Sequence, residues 1–174
     1  MRNDKTKKMV MAALFAALAC VATYMVKIPT PTKGYFNLGD CIVLLAGFLL
    51  GPVYGGAAAG IGSMLADVFA GYMVYAPATF VIKALVAITA VLVFRAMGKT
   101  KPGLIVGGFV GETIMVLGYF IFECFMMLAE PGAEGGFYAA SIAAAAGIPM
   151  NILQGVVGIA VSSVLYFVLK DRIK

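Results

Sequence analysis

The 174-residue sequence contains no histidine and no tryptophan, and only 12% of its residues are charged. Without histidine, the chain lacks the commonest metal ligand and the commonest acid–base group. Without tryptophan, any aromatic stacking with a ligand has to use tyrosine or phenylalanine. Soluble domains carry about 25% charged residues, so a chain that is 63% hydrophobic and this poor in charge is typical of a membrane protein.

Cysteine is also scarce. Cys20, Cys41 and Cys124 are far apart and lie inside apolar runs, so they have neither metal-site spacing nor the pattern of a disulfide framework. No nucleophile–base pair or metal set is evident. We therefore predict that the protein is not an enzyme, binds no metal or other cofactor and has no nucleic-acid partner.

A nucleotide-binding loop is excluded as well. Gly98-Lys99-Thr100 matches the end of the phosphate-binding motif, but Val93 stands where that motif requires its first glycine. The segment also follows a predicted helix instead of a strand. We predict that this chain does not bind ATP through a P-loop.

The apolar runs predict the fold class. A membrane-spanning helix needs about 20 apolar residues, so six such helices use up nearly the whole chain. The predicted fold is an all-α integral membrane protein, one membrane domain over residues 1–174, with helices at about 9–26, 38–50, 52–71, 76–95, 104–128 and 147–169. Segment 27–36, with two prolines and a glycine, is predicted to be a loop, and the alanine-rich stretch 139–146 to lead into the last helix. The first run could also be the core of a signal peptide, but it has no small-x-small cleavage site, so we interpret it as the first helix.

Basic residues predict the orientation. Of the 13 Lys and Arg residues, four lie in the N-terminal tail, three in segment 95–101 and three in the C-terminal tail. A six-helix path puts these three regions on the same side. The positive-inside rule makes that side cytoplasmic, which predicts cytoplasmic N and C termini in a multi-pass protein of the cytoplasmic membrane.

Polar residues inside the apolar spans predict a binding cavity. Such residues are costly in a membrane and usually mark function. In the predicted topology they converge on the outer half from five helices, and the turn before the fourth helix adds two tyrosines. The predicted substrate-binding residues are Asn37, Asp40, Asp67, Tyr72, Tyr75, Lys83, Glu123, Asn151 and Gln154.

Structural roles could account for some of these residues. Asn37 and Asp40 suit the cap and first turn of the second helix. Lys83 could form an internal ion pair with Asp67 or Glu123. Glu112 lies in the inner half, where the pattern gives it no role.

Small residues on the first helix predict a contact surface. Ala12, Ala13, Ala16 and Ala17 fall at i, i+4 spacing and form a flat stripe that lets another helix approach closely. The stripe could pack inside this subunit or dock another subunit. The sequence leaves both alternatives open.

The six-helix plan, the alanine stripe and the phrase NLGD-x3-LLAG-x2-LGP-x2-G, from Asn37 to Gly55, resemble the S components of energy-coupling factor (ECF) transporters. The resemblance covers nearly the whole chain and is strongest to the branch with the riboflavin and related vitamin carriers. It implies a subunit that binds a vitamin from outside. It also implies docking, through the helix 1 alanines, to a membrane coupling subunit (T component) driven by two ATPases.

The residues indicate what the cargo could be. Amides, carboxylates, Lys83 and the two tyrosines suit a small polar molecule, with or without an aromatic ring. Pyridoxine, a hydroxymethylpyrimidine, riboflavin and pantothenate remain open. A different alternative is a self-contained proton-coupled carrier that uses Glu112 and Glu123 as a relay.

Overall fold

The computed structural model describes residues 2–30, 32, 34–130 and 135–172, without the side chains of residues 2 and 3. These residues form six α-helices and one two-stranded antiparallel sheet. In chain order the elements are α1 (Arg2–Met25), β1 (Ile28–Pro29), β2 (Tyr35–Phe36), α2 (Gly39–Ala70), α3 (Ala76–Ala96), α4 (Lys101–Leu128), α5 (Gly136–Ala145) and α6 (Ile148–Leu169).

Helix α2 reverses direction at Gly51. This glycine has φ 85° and ψ −178°, a backbone conformation that disfavours residues with a Cβ, and Pro52 follows it. A Cβ on Gly55 would lie 2.5 Å from the carbonyl oxygen of Ala46, which is possible only if the chain folds back on itself. We call the two antiparallel segments α2a (39–50) and α2b (52–70); the sequence predicts a helix break at the same Gly-Pro pair.

Proline marks the first turn of three helices. Pro77, Pro102 and Pro149 occupy the first positions of α3, α4 and α6, where a missing N–H costs no hydrogen bond. In α4 the Thr100 hydroxyl also accepts a hydrogen bond from the Gly103 N–H at 3.2 Å. These signals explain why the long helices start where they do.

Two connecting segments differ from the sequence prediction. Segment 27–36, expected to be a loop, contains the β1–β2 hairpin, in which Ile28 pairs with Phe36 and Pro29 with Tyr35. The alanine-rich stretch 139–146, expected to lead directly into the last helix, lies mostly in the separate helix α5. Proline and glycine in the first segment favour a loop, so the short hairpin is not evident from its sequence. The alanines of the second segment show no pattern that marks where one helix ends and the next begins.

The core of the bundle forms around α2a, α3 and α4. Val43, Leu44, Val86, Ala87 and Met115 are all fully buried there. Large apolar side chains such as Leu92, Phe109 and Val164 are instead exposed on the outside of the bundle, as expected of a surface that faces lipid. Within the described residues, five helices, with α2 counted as one, are long and apolar enough to cross a membrane.

The bundle has two chemically different ends. The hairpin end holds β1 and β2, the Tyr72–Tyr75 turn and the first turns of α6. The basic end holds the turn at Gly51, together with Arg95, Lys99 and Lys170, which border one polar pocket of about 440 Å³. The polar residues predicted to bind substrate lie toward the hairpin end.

Candidate functional site

A small polar cavity lies inside the bundle at the hairpin end. Its volume is about 30 Å³, close to the volume of about one water molecule in the liquid, so the polar side chains nearly fill it. The lining residues come from α1, the hairpin, α2b, the turn before α3, and α3, α4 and α6. They are Thr23, Thr30, Gly34, Tyr35, Asn37, Ser63, Asp67, Tyr75, Thr79, Lys83, Tyr119, Glu123, Asn151 and Gln154.

Seven of the nine residues that the sequence predicts for the site line this cavity: Asn37, Asp67, Tyr75, Lys83, Glu123, Asn151 and Gln154. Asp40 lies directly behind it, as the partner of two lining residues. Tyr72 is outside the lining, with its ring 4.8 Å from the ring of Tyr35 and 6.2 Å from that of Tyr75. It therefore packs against Tyr35 and Tyr75, two of the three tyrosines that line the cavity.

Lys83 forms a buried ion pair with Asp40. The Lys83 Nζ lies 2.6 Å from Asp40 Oδ1, and Lys83 is only 1% exposed. The other Asp40 oxygen accepts a hydrogen bond from Gln154 Nε2 at 2.6 Å. The internal ion pair considered for Lys83 is therefore present, but its partner is Asp40 and not Asp67 or Glu123, because the first turn of α2a packs beside Lys83 of α3.

Capping of α2a differs from the expected pattern as well. The expected cap at Asn37 is wrong, because Leu38 occupies the cap position and makes no side-chain cap hydrogen bond. Asn37 Oδ1 instead accepts a hydrogen bond from the Gly39 N–H at 2.8 Å, and Asp40 is used in the ion pair. The Asn37 backbone N–H donates to Gln154 Oε1 at 2.7 Å. Gln154 therefore connects the start of α2a to α6.

Asp67, near the end of α2b, receives a hydrogen bond from the hairpin. The Tyr35 hydroxyl donates to Asp67 Oδ1 at 2.5 Å. Burial in the first place, and the Asp67 carboxylate in addition, raise the pKa of Tyr35 far above its usual range, so Tyr35 remains a donor at neutral pH. The Thr79 hydroxyl also interacts with the Asp67 carboxylate, and it accepts a hydrogen bond from Tyr119 at 3.1 Å.

The hydroxyl groups of two residues outside α4 contact the carboxylate of Glu123, which lies on α4. Thr32 donates to Glu123 Oε1 at 2.9 Å, and the Tyr75 hydroxyl lies 3.5 Å from the same oxygen while donating to the Thr32 carbonyl at 2.8 Å. Burial first and Glu123 second raise the pKa of Tyr75, which keeps this hydroxyl protonated. Glu123 Oε2 points toward the start of α6, 3.0 Å from where a Cβ on Gly147 would be.

The sequence reasoning missed seven lining residues: Thr23, Thr30, Gly34, Tyr35, Ser63, Thr79 and Tyr119. Three of them lie one helical turn before a predicted site residue, since Ser63 precedes Asp67, Thr79 precedes Lys83 and Tyr119 precedes Glu123 by four positions. The i, i+4 rule for neighbours on a helix face could have identified these three. No comparable signal marks the residues of α1 and the hairpin.

The comparisons with known proteins agree with this architecture. The family model described as "ECF-type riboflavin transporter, S component" matches residues 3–171. This chain belongs to that family. S components are the substrate-binding subunits of ECF vitamin transporters and are not enzymes, so the protein is a multi-pass membrane transport protein.

Two individual proteins are similar to this chain over most of its length. A solved structure described as "Structure and mechanism of the S component of a bacterial ECF transporter" is 27% identical, with a TM-score of 0.73 over 98% of this chain and 99% of the other. A Pyrococcus woesei protein, described as "Uncharacterized protein in gap 3'region", is 36% identical over 155 residues, covering 88% of this chain and 95% of that protein. Both similarities extend over nearly the whole S component.

The alanine stripe of this S component borders a wide groove. An apolar groove of about 620 Å³ lies between α1 and α2b, and all four predicted alanines line it. Ala13 and Ala17 are exposed, whereas Ala12 and Ala16 are half-buried. A Cβ on Gly62 would collide with the Ala16 backbone, so part of the stripe packs inside the subunit and part faces outward.

Glu112 does not line the cavity of the S component, but it lies near Asp40 directly behind it, since a Cβ on Gly158 would be 3.0 Å from Asp40 Cβ and 3.5 Å from Glu112 Oε1. It is only 4% exposed, and neither of its carboxyl oxygens has a hydrogen-bond partner among the described residues. Its nearest surroundings include Gly155 of α6 and an apolar groove of about 270 Å³ between α4 and α6. The structure therefore separates the two glutamates of α4 into different environments.

Proposed function

We propose that this chain is the membrane-embedded, high-affinity substrate-binding subunit of an ATP-driven ECF vitamin importer. It captures a small water-soluble vitamin or precursor, of the pyridoxine or hydroxymethylpyrimidine, riboflavin or pantothenate class, from outside the cell. The observation that carries the proposal is the cavity at the hairpin end. Buried charged and amide groups inside a membrane bundle are costly and usually mark a functional site.

Proposed orientation and location follow from charge. With α2a and α2b counted separately, residues 1–174 form one membrane domain that crosses six times, through α1, α2a, α2b, α3, α4 and α6. Arg95, Lys99 and Lys170 lie at one end, and the positive-inside rule makes that end cytoplasmic. The cavity then opens to the outside of the cytoplasmic membrane, and both termini are inside.

The proposed partners are the T component, two ATPase subunits and the surrounding lipid. Family membership implies association with the T component and ATPase modules, and Ala13 and Ala17 supply an exposed surface where a helix could approach closely. We place the docking face there because it lies outside the bundle. Docking would then leave the cavity lining untouched.

Paired measurements test this function. The purified subunit should bind at least one of the four candidate vitamins in a calorimetric titration. Cells that express it should take up that vitamin only when the T component and the ATPases are also present. Binding without any requirement for ATPases in uptake would contradict the proposed partnership, and absence of binding would contradict the proposed site.

The buried Glu112 carboxyl group has no hydrogen-bond partner among the described residues. This observation favours one alternative function, a proton-coupled carrier that acts without the ATPases. Glu112 and Glu123 are 11 residues apart in α4, which corresponds to about 16 Å along the helix at about 1.5 Å per residue. The apolar, fully buried Met115 lies between them, as does Tyr119, whose hydroxyl donates to Thr79 Oγ1 at 3.1 Å, so a relay along α4 would have to pass through Tyr119. Uptake that depends on a pH gradient in cells without the ATPases would favour this alternative.

A further inference from the structure

The polar pocket at the basic end carries an excess of positive charge. Its volume is about 440 Å³, and it lies between the Gly51 turn, the end of α3 and the end of α6. Three cationic side chains line it, those of Arg95, Lys99 and Lys170, together with one acidic side chain, that of Asp171. None of the three cations forms an ion pair with another described residue. The pocket therefore offers cationic groups to an anion.

Helix dipoles account for only two of these cations. Arg95 lies in the last turn of α3 and Lys170 directly follows α6, where a cation stabilises the negative end of a helix. Lys99 belongs to neither helix, and its φ of 58° is unfavourable for a residue with a Cβ. Its backbone N–H donates to the Phe94 carbonyl at 2.9 Å, which holds Lys99 beside the end of α3. Strained backbone of this kind is concentrated at functional sites.

The guanidinium group of Arg95 lies against the Gly51 turn. A Cβ on Gly51 would be 2.6 Å from Arg95 Nη2, so the missing side chain makes room for the guanidinium. A guanidinium presents a planar fork of N–H donors that can bind two oxygens of one phosphate or carboxylate group. Arg95 therefore supplies the pocket with a group that recognises such an anion by geometry as well as by charge.

Three aromatic rings, which we call the aromatic wall, form the apolar part of the pocket lining. The rings of Phe48 and Phe94 lie 5.3 Å apart, and the ring of Tyr166 lies 6.2 and 5.4 Å from them. Phe48 and Phe94 are buried. A small hydrophilic anion would leave the aromatic wall uncovered, whereas an amphipathic anion could bury apolar surface against it.

The pocket lies beside the lipid-facing surface of α6. Val164 and Val168 are 67% and 63% exposed on this helix, and Lys170 follows them at its end. The Phe167 ring, also exposed, lies 5.3 Å from Lys170 Nζ and 5.6 Å from Lys101 Nζ. Lysines at the end of an apolar span extend toward the membrane surface. The pocket is therefore at the level of the lipid head groups.

We propose that this pocket binds the phosphate-containing head group of an anionic phospholipid. Arg95 pairs with the phosphate group, Lys99 and Lys170 add positive charge, and the aromatic wall contacts the glycerol and the first methylene groups. Basic pockets between transmembrane helices are typical sites for anionic head groups. This site is additional to the vitamin cavity at the hairpin end and does not depend on it. In the proposed orientation, the lipid comes from the cytoplasmic leaflet.

A lipid titration tests the site. The purified full-length protein in detergent is titrated with phosphatidylglycerol and with phosphatidylcholine of the same acyl chains, and bound lipid is counted by native mass spectrometry. Phosphatidylglycerol should bind at least about tenfold more tightly, because its head group has a net negative charge. Inorganic phosphate, added as a third probe, should displace little of it, because phosphate alone does not contact the aromatic wall.

Substitutions connect this preference to the pocket. Arg95→Gln and Lys99→Gln should each weaken binding of phosphatidylglycerol by about fivefold and leave phosphatidylcholine unchanged. Arg95→Lys keeps the charge but loses the planar fork, so it should weaken binding as well. Arg172→Gln is the matched control, because it removes one positive charge at the same end from a residue that does not line the pocket.

Thermal melts in detergent show whether each variant is folded. Lys99 is exposed and lies outside the helices, so Lys99→Gln tests the site even if Arg95→Gln does not fold. Selective loss of phosphatidylglycerol binding in the pocket variants would support the proposal.

Three outcomes would overturn the proposal. Equal affinity for the two lipids, or an equal loss in Arg172→Gln, would leave only a general attraction between basic residues and the membrane. Binding of inorganic phosphate as tight as that of phosphatidylglycerol would assign the pocket to a soluble anion. Loss of T-component co-purification in the pocket variants, at unchanged lipid affinity, would assign it to a protein contact. Vitamin binding is measured separately, so its absence would contradict the proposed function and not this site.

Discussion

The cavity at the hairpin end and the groove between α1 and α2b are opposites in almost every respect. The cavity is polar, buried and about 30 Å³ in volume, whereas the groove is apolar, open and about 620 Å³. The cavity draws its residues from most of the helices, but the groove uses only two. A small buried space whose lining includes polar atoms without a partner among the described residues suits a small polar molecule, and an open apolar face suits another helix.

Loss of the buried ion pair should have the largest effect. Lys83→Ala would leave the Asp40 carboxylate buried with only Gln154 as a partner, at a cost of about 3–5 kcal/mol in the free energy of unfolding. The melting temperature in detergent should therefore fall together with ligand affinity. Lys99→Ala, at the exposed basic end, serves as the control.

A double variant shows which part of the Lys83 effect is structural. Lys83→Met combined with Asp40→Asn removes both charges and should recover much of the lost stability. If Lys83→Ala weakens binding at unchanged stability, then Lys83 acts on the ligand directly and not through Asp40.

A bulky residue in the groove should separate uptake from binding. Ala17 is exposed, so Ala17→Trp should block close approach of a partner and reduce uptake by whole cells by about tenfold or more. Ligand binding by the purified subunit should not change. Leu18→Trp, equally exposed on α1 but outside the groove lining, should affect neither measurement.

The choice of Ala17 follows from the packing of the stripe. Ala16 packs against Gly62, so a large residue there would disturb α1 within the subunit as well as any docking. Loss of both binding and uptake in Ala17→Trp would assign the whole stripe to internal packing.

Removal of one hydroxyl from the hairpin should have an intermediate effect. Tyr35→Phe deletes the donor to Asp67 Oδ1, and a hydrogen bond to a charged group contributes about 1.5–3 kcal/mol. Ligand affinity should fall by about tenfold, because the carboxylate is no longer held in place. Tyr138→Phe, whose ring is exposed, is the control; equal affinities of the two variants would remove Tyr35 from the site.

Neutralisation of Glu112 should have the smallest effect. Glu112→Gln removes a carboxyl group that has no partner among the described residues, so the melting temperature should stay the same or rise. Uptake in cells with the T component and ATPases should be unchanged. A loss of uptake at preserved binding would give Glu112 a role in transport and favour the proton-coupled alternative.

The sequence predicted which residues belong to the cavity better than it predicted which of their side chains pair with each other. Charge and amide groups inside apolar spans are rare enough to be recognised one at a time, which is why Lys83, Glu123 and Gln154 were identified. Which carboxylate pairs with Lys83 depends on the depth and packing of α2a, α2b and α4 against α3, because Asp40, Asp67 and Glu123 lie on three different segments. That depth is set by packing, so the pattern of one helix cannot supply it.

The connecting segments show a second limit. Gly51-Pro52 is a strong local signal, and the reversal of α2 occurs there. Tyr35 has no such signal, because its position over Asp67 depends on the two-residue pairing of β1 and β2. The separation of α5 from α6 likewise depends on two residues, 146 and 147, whose composition differs little from that of the helices on either side.

Helix α2a covers only part of the bilayer thickness, so its crossing also uses the chain that precedes it. Residues 39–50 span about 18 Å at about 1.5 Å per residue, whereas the hydrocarbon core is about 30 Å thick. Because Gly51 folds this segment directly onto α2b, the two segments can enter the membrane together as one helical hairpin during synthesis. The Asp40 carboxylate would then meet its partner Lys83 only after α3 has been made, so biogenesis of this half of the protein depends on the order in which the helices leave the ribosome.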